Sequence, residues 1–127
     1  MTERDFVIVE WSDPGGTEWI APLHVHHADD EAWHVLEGSL RFLLGGELVD
    51  VPAGETVFAA KGTAHAYGNP SPEPARYLLV MTPKIERLIA RLHEGDWKDV
   101  HELFREYDSE LLPPPGEILG DDKMVDR

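Results

Sequence analysis

Two histidines, a glutamate and a third histidine, His24, His26, Glu31 and His65, constrain what this chain can fold into more than any other feature. Three imidazoles and one carboxylate make a full donor set for a divalent transition metal, and such a set leaves room for water or substrate. The donors are spread over three segments. His24 and His26 are two apart, so on an extended strand both point to one face. Glu31 follows the polar turn His27-Ala28-Asp29-Asp30 and opens the run Ala32-Trp33-His34-Val35-Leu36, in which Glu31, Trp33 and Val35 share a face. His65 stands in Ala64-His65-Ala66-Tyr67, after the turn Lys61-Gly62-Thr63. Three strands therefore have to converge on one point, as a small closed antiparallel barrel allows.

The rest of the chain up to residue 82 agrees. Short β-like runs (Phe6–Val9, Trp19–Leu23, Trp33–Leu36, Leu40–Leu44, Leu48–Val51, Thr56–Ala59 and Tyr77–Met81) alternate with Gly- and Pro-bearing turns, the pattern of a sandwich or barrel. Gly45-Gly46-Glu47 marks a hairpin. After Thr82 the period changes. Pro83 suits a first helical turn, Ile85, Leu88, Ile89 and Leu92 form a stripe, and Gly95 ends it. Asp96 is a ready N-cap for a second helix striped by Val100, Leu103, Phe104 and Tyr107. These stripes are expected to cover the barrel or a dimer seam, with a lid over the barrel mouth as the sharper alternative. The expected organisation is one domain: barrel 1–82, helical pair 83–108, and a Pro-rich extended tail 109–127 in which Ile118 and Leu119 could dock.

The same residues resemble the cupin superfamily. Its first motif, HxH, four residues, E, six residues, G, is met by His24, His26, Glu31 and Gly38. Its second, G, five residues, P, x, G, two residues, H, three residues, N, is met by Gly54, Gly62, His65 and Asn69, with Ala60 in the proline position. Glu18 stands where a glycine usually precedes the first motif, so the departures touch turns and leave the ligands intact. The helical end, with Phe104-Arg105-Glu106-Tyr107 leading to Leu111-Leu112-Pro113-Pro114, is similar to small bacterial cupins labelled quercetin-dioxygenase-like. The resemblance implies an all-β double-stranded β-helix (jelly-roll) barrel with two C-terminal helices. It also implies one divalent ion (iron, nickel, manganese, copper or zinc) on His24, His26, Glu31 and His65, and a homodimer.

Neighbouring candidates are weaker. His27 has the wrong strand parity and His34 faces opposite Glu31, so both are expected to be exposed; Asp30 replaces Glu31 only if the turn is one residue tighter. Trp33 and Tyr67, each two residues from a ligand, are candidate pocket walls, while Val35 reads as core. The net charge of −14, from 25 acidic and 11 basic residues, argues against nucleic acid and anionic membranes and favours a small neutral or weakly acidic substrate. There is no cysteine, and no apolar run approaches a membrane span or a secretory signal, which points to the cytoplasm. Three functions fit. The first, by resemblance to quercetinase-like cupins, is a dioxygenase on an aromatic or enolic compound, with Glu31 both ligand and base. The second is a metal-dependent isomerase, lyase or cyclase working through an enolate. The third is a small-molecule-binding barrel without turnover.

Overall fold

Alternating burial along the β-like segments fixes which side chains face inward. The computed structural model describes residues 5–113. They form β1 (Val7–Asp13), β2 (Thr17–His26), β3 (Glu31–Glu37), β4 (Ser39–Leu44), β5 (Glu47–Pro52), β6 (Thr56–Ala59), β7 (His65–Asn69), β8 (Ala75–Met81), α1 (Pro83–Glu94), α2 (Val100–Glu106) and β9 (Ser109–Leu111). Two antiparallel sheets face each other, one in the order β1-β8-β3-β6 and the other β5-β4-β7-β2-β9. Trp33, Val35, Phe42, Tyr67, Tyr77 and Leu79 belong to one buried cluster that draws on both sheets. The expected jelly-roll class holds, with one correction. Hydrogen bonding among the described residues stops at the edge strands β1, β6, β5 and β9, so the molecule is a two-sheet sandwich rather than a closed barrel.

Gly45 and Gly46, at φ +53° and +94°, make the two-residue turn between β4 and β5, and the ladder closes with Leu44 opposite Glu47. Two positive φ values in succession suit the twist of a tight hairpin and are available to glycine at little cost. Pro83 does open α1, behind Thr82, whose Oγ1 accepts from the Ile85 N–H at 3.2 Å; Gly95 ends it by donating to the Arg91 carbonyl. The second helix starts later than expected. Asp99, not Asp96, is its N-cap and accepts from the His101 N–H at 2.9 Å. Trp97 packs against the cluster Leu88, Leu103 and Phe104, so the chain uses residues 96–99 to cross between helices, and Asp96 faces Arg91 at 3.6 Å.

Both helical stripes are buried within the chain. Ile85 joins the main core, and Leu88, Leu103 and Phe104 form their own cluster. The spare helix faces expected to favour a dimer seam are therefore occupied. Exposed large apolar side chains lie elsewhere, among them Phe6, Ile8 and Phe58. The expected tail is also different at its start, since residues 109–111 are a strand paired with β2. Pro114 to Gly116, Ile118 and Leu119 lie outside the described residues. No helix among those described is long and apolar enough to cross a membrane.

Candidate metal centre

Strand pairing assembles the donors. His24 lies directly across the ladder from His65, on β2 and β7. The register between these strands shifts twice, between Thr17 and Ala21 and again between Ala21 and His24. Pro22 sits in the second irregular stretch and has no N–H to give the ladder. Such bulges re-aim side chains near sites. Glu31 opens β3 opposite Ala59 of β6. One donor atom from each of His24, His26, Glu31 and His65 lies within 4.8 Å of the others, and all four residues are buried.

Hydrogen bonds on the far side of each ring settle which nitrogen carries the proton. His24 Nδ1 lies 2.6 Å from the Pro22 carbonyl and His65 Nδ1 lies 3.0 Å from the Thr63 carbonyl. A carbonyl only accepts, so both Nδ1 atoms donate. His26 Nδ1 meets Ser109 Oγ at 2.6 Å, and that hydroxyl donates its own proton to the Tyr107 carbonyl at 3.0 Å, so His26 Nδ1 donates as well. In neutral rings all three Nε2 atoms then present lone pairs. Two of them approach Glu31 Oε1, His65 at 3.0 Å and His26 at 3.1 Å. Two ring nitrogens that close to a carboxylate need a shared cation, whether a proton or a metal ion. The arrangement is compatible with one metal ion, and the back-side bonds are of the kind that orient metal-bound imidazoles.

Electrostatics point the same way. Burial, helped by the neighbouring His65 and His26, lowers His24 from its ordinary 6.5 to about 3. Burial alone would raise Glu31, but the contacts from His26 and His65 outweigh it and bring that carboxyl to about 2. Both groups are thus held deprotonated, the forms that bind metal. The sign for stability follows. Between 6.5 and about 3 an unfolded chain takes up a proton that folded His24 refuses, and between 4.5 and about 2 the same holds for Glu31. Chelator-treated protein is therefore expected to lose a few kcal/mol as pH falls from 6.5 toward 3, read as a falling urea midpoint. His24→Gln should flatten the upper part of that slope; an unaltered slope in that variant would contradict the assignment.

A model of the cupin domain matches residues 9–81. The chain belongs to the cupin family. Among solved structures, this cupin is 31% identical to an uncharacterized conserved protein with a double-stranded β-helix domain from Klebsiella pneumoniae, over 65% of this chain and 71% of that one, with a TM-score of 0.55. It is 30% identical to the polyketide cyclase RemF from Streptomyces resistomycificus, over 61% of this chain and 54% of that one, with a TM-score of 0.52. A putative sugar phosphate isomerase from Acidithiobacillus ferrooxidans, 22% identical over 62% of this chain and 51% of that one, has a TM-score of 0.56 and shows likeness of fold alone. The chain spans about half the length of the latter two proteins. No curated protein matches it.

In this cupin three of the four donors, His24, His26 and Glu31, line a cavity of about 230 Å3 whose walls include Trp33 and Tyr67, as their spacing from the ligands implies. Its other side is helical: Leu88, Ile89, Leu92 and His93 of α1 and Phe104 of α2 line the space. Phe104 stands edge-on to His24, with ring centroids 6.0 Å apart. The helices thus form one wall of the cavity. The competing candidates lie outside this cluster. His27 is exposed beside Glu110, and Asp30 accepts the Lys61 N–H at 2.7 Å to tie a turn. His34, half-buried rather than exposed, meets Thr56 Oγ1 at 2.8 Å on the outer face.

Sequence reasoning missed Ser109 and Tyr77. Ser109 lies 83 residues from the imidazole it supports, and no local pattern marks it. Tyr77 falls on the inward parity of β8, which was a usable signal. Ser109→Ala leaves the His26 N–H without its acceptor and is expected to weaken metal binding roughly 10- to 100-fold, by chelator competition. Ser109→Thr should restore most of it. Native affinity in the alanine variant would mean the hydroxyl does not hold the ring.

Proposed function

We propose that this cupin is a metal-dependent enzyme for a small aromatic or enolic compound, in first reading a dioxygenase-type oxidoreductase. The observation that carries it is the convergence of three imidazoles and the Glu31 carboxylate beside an apolar, aromatic-walled cavity that His24, His26 and Glu31 line. His24, His26, His65 and Glu31 would hold a single divalent ion, whether iron, nickel, manganese, copper or zinc. Bound there, the ion supplies Lewis acidity and a residual positive charge that favour the ionised form of an enol or phenol. Glu31 is the group to take the substrate hydroxyl proton, because its Oε1 is engaged by His26 and His65 while Oε2 makes no hydrogen bond among the described residues. A carboxylate held this acidic accepts a proton only from an oxygen that is itself acidified, which couples proton transfer to anion stabilisation. Leu88, Leu92 and Phe104 keep water from the site and present apolar surface to a ring.

A second reading keeps the ion and omits dioxygen: cyclisation, isomerisation or lysis through an enolate. The likeness to a polyketide cyclase favours it. The test is elemental analysis of tag-free protein, followed by oxygen-electrode assays with flavonols and 1,3-diketones on native protein and Glu31→Ala. Near-stoichiometric metal with oxygen uptake that disappears in the variant is the expected result. Product formed equally well without oxygen moves the assignment to the second reading. Ligand binding with no product under either atmosphere overturns both and leaves a binding protein. The reading includes a homodimer, supported by the row Ile8, Val80, Ala32 and Phe58 across the outer face of the four-stranded sheet, and light scattering checks it.

A further inference from the structure

Three buried indole N–H groups find no acceptor among the described residues, those of Trp19, Trp33 and Trp97, and of these residues only Trp33 lines the cavity. Beside it a second donor is left over. Tyr67 and Tyr77, both cavity walls, share one hydrogen bond, with their hydroxyl oxygens 2.9 Å apart. Two phenols joined by one bond use one proton and keep one, and neither hydroxyl makes another hydrogen bond among the described residues. Trp33 lies beside the Tyr67 oxygen without completing a bond to it, and an N–H there turns the Tyr67 proton toward Tyr77 and leaves the Tyr77 proton free. The Tyr77 hydroxyl is therefore a buried donor with no hydrogen-bonded acceptor among the described residues, and beside it the Trp33 N–H has only the Tyr67 oxygen near it, while the wall's carboxylates, Asp13 and Glu31, bond to neither.

Their position relative to the metal centre is fixed by the strands. Trp33 follows Glu31 by two residues on β3, and Tyr67 follows His65 by two on β7, so their backbone positions lie one pleat repeat, about 7 Å, from those of the ligands, on the same face. One substituted aromatic ring spans such a gap. We infer that Trp33, Tyr67 and Tyr77 form an acceptor-binding subsite, and that the substrate carries a carbonyl or similar oxygen acceptor across a ring from the hydroxyl that reaches the metal. The energetics favour it, since a donor already buried and unpaired gains the full benefit of an acceptor, whereas an exposed donor merely exchanges water. A substrate without the acceptor leaves those donors orphaned and is rejected. The inference rests on the proposed metal-bound enol or phenol for one end of the substrate, and it adds a requirement at the other end.

Calorimetry with two probes of similar size and phenol acidity, 4-hydroxyacetophenone and 4-(trifluoromethyl)phenol, of which only the first carries a carbonyl acceptor, tests it on the full chain, once loaded with nickel and once treated with EDTA. The acceptor-bearing probe is expected to bind about tenfold more tightly. Loss of the metal lowers both affinities together but leaves their ratio, so failure of the metal reading and failure of this one are told apart. Tyr67→Phe and Tyr77→Phe each retain one hydroxyl and should keep part of the preference. The double variant Tyr67→Phe/Tyr77→Phe should bring the ratio to within about threefold of unity, at an unchanged unfolding midpoint. A ratio of one in native protein, or the full native ratio in the folded double variant, overturns the subsite.

Discussion

His26→Ala is expected to strip the protein of its metal, weakening affinity more than 100-fold by chelator competition. The magnitude follows from what is lost. Disturbing only a supporting hydrogen bond commonly costs 10- to 100-fold, and this variant removes a ligand together with its Ser109 support. It also removes one of the two contacts that hold Glu31 ionised, so burial pushes that carboxyl upward and the remaining site binds a cation less readily. The fold should persist, because His26 is not part of any of the apolar clusters. His27→Ala is the control. That side chain is 54% exposed and should leave affinity within about twofold of native. Full occupancy in His26→Ala, or equal losses in both variants, would place the metal elsewhere.

Gly68→Ala is expected to be the most damaging single methyl in the described chain. A Cβ at Gly68 would sit 1.8 Å from the Glu18 carbonyl oxygen and 2.5 Å from its carbon, both backbone atoms that no rotamer change can move. Relief requires β2 to shift away from β7 between the Thr17–Asn69 and Ala21–Tyr67 pairs. A loss of about 3 kcal/mol or more is expected in urea unfolding, with a weaker metal site because His24 and His65 belong to the same two strands. Gly46→Ala separates crowding from backbone strain. Gly46 has φ +94° and open space around its Cβ position, so the variant should lose only about 1–2 kcal/mol. Equal losses at the two positions would mean that the close approach of β2 to β7 is unimportant.

What the residues announced was whatever repeats locally. Strand parity placed Trp33 beside Glu31 and Tyr67 beside His65, and both do line the cavity. The Gly45-Gly46 turn and the Thr82-Pro83 helix start carry their own chemistry and form where expected. Features set by distant partners were not legible. β9 is three residues long with no detectable period, and it exists because β2 offers it an edge. Asp29 looks like part of a solvated acidic turn, yet it is buried, accepting from Thr82 Oγ1 at 2.8 Å and facing Lys84 at 3.1 Å. Asp96 and Asp99 are equivalent as caps by residue type, and the packing of Trp97 chooses between them. The expected closed barrel failed for a related reason, since hairpin and strand signals specify neighbours but not whether two sheets join at their edges.

Pairing of β9 with β2 also has a bearing on how the protein matures. All four donors lie within the first 65 residues, whereas the hydroxyl that orients His26 belongs to residue 109. During synthesis the ligands leave the ribosome well before their support does. A nascent chain can gather the donors, but the His26 ring acquires its fixed tautomer only when the last described strand docks. Completing the geometry of the donor set thus depends on a strand that follows all four donors along the chain.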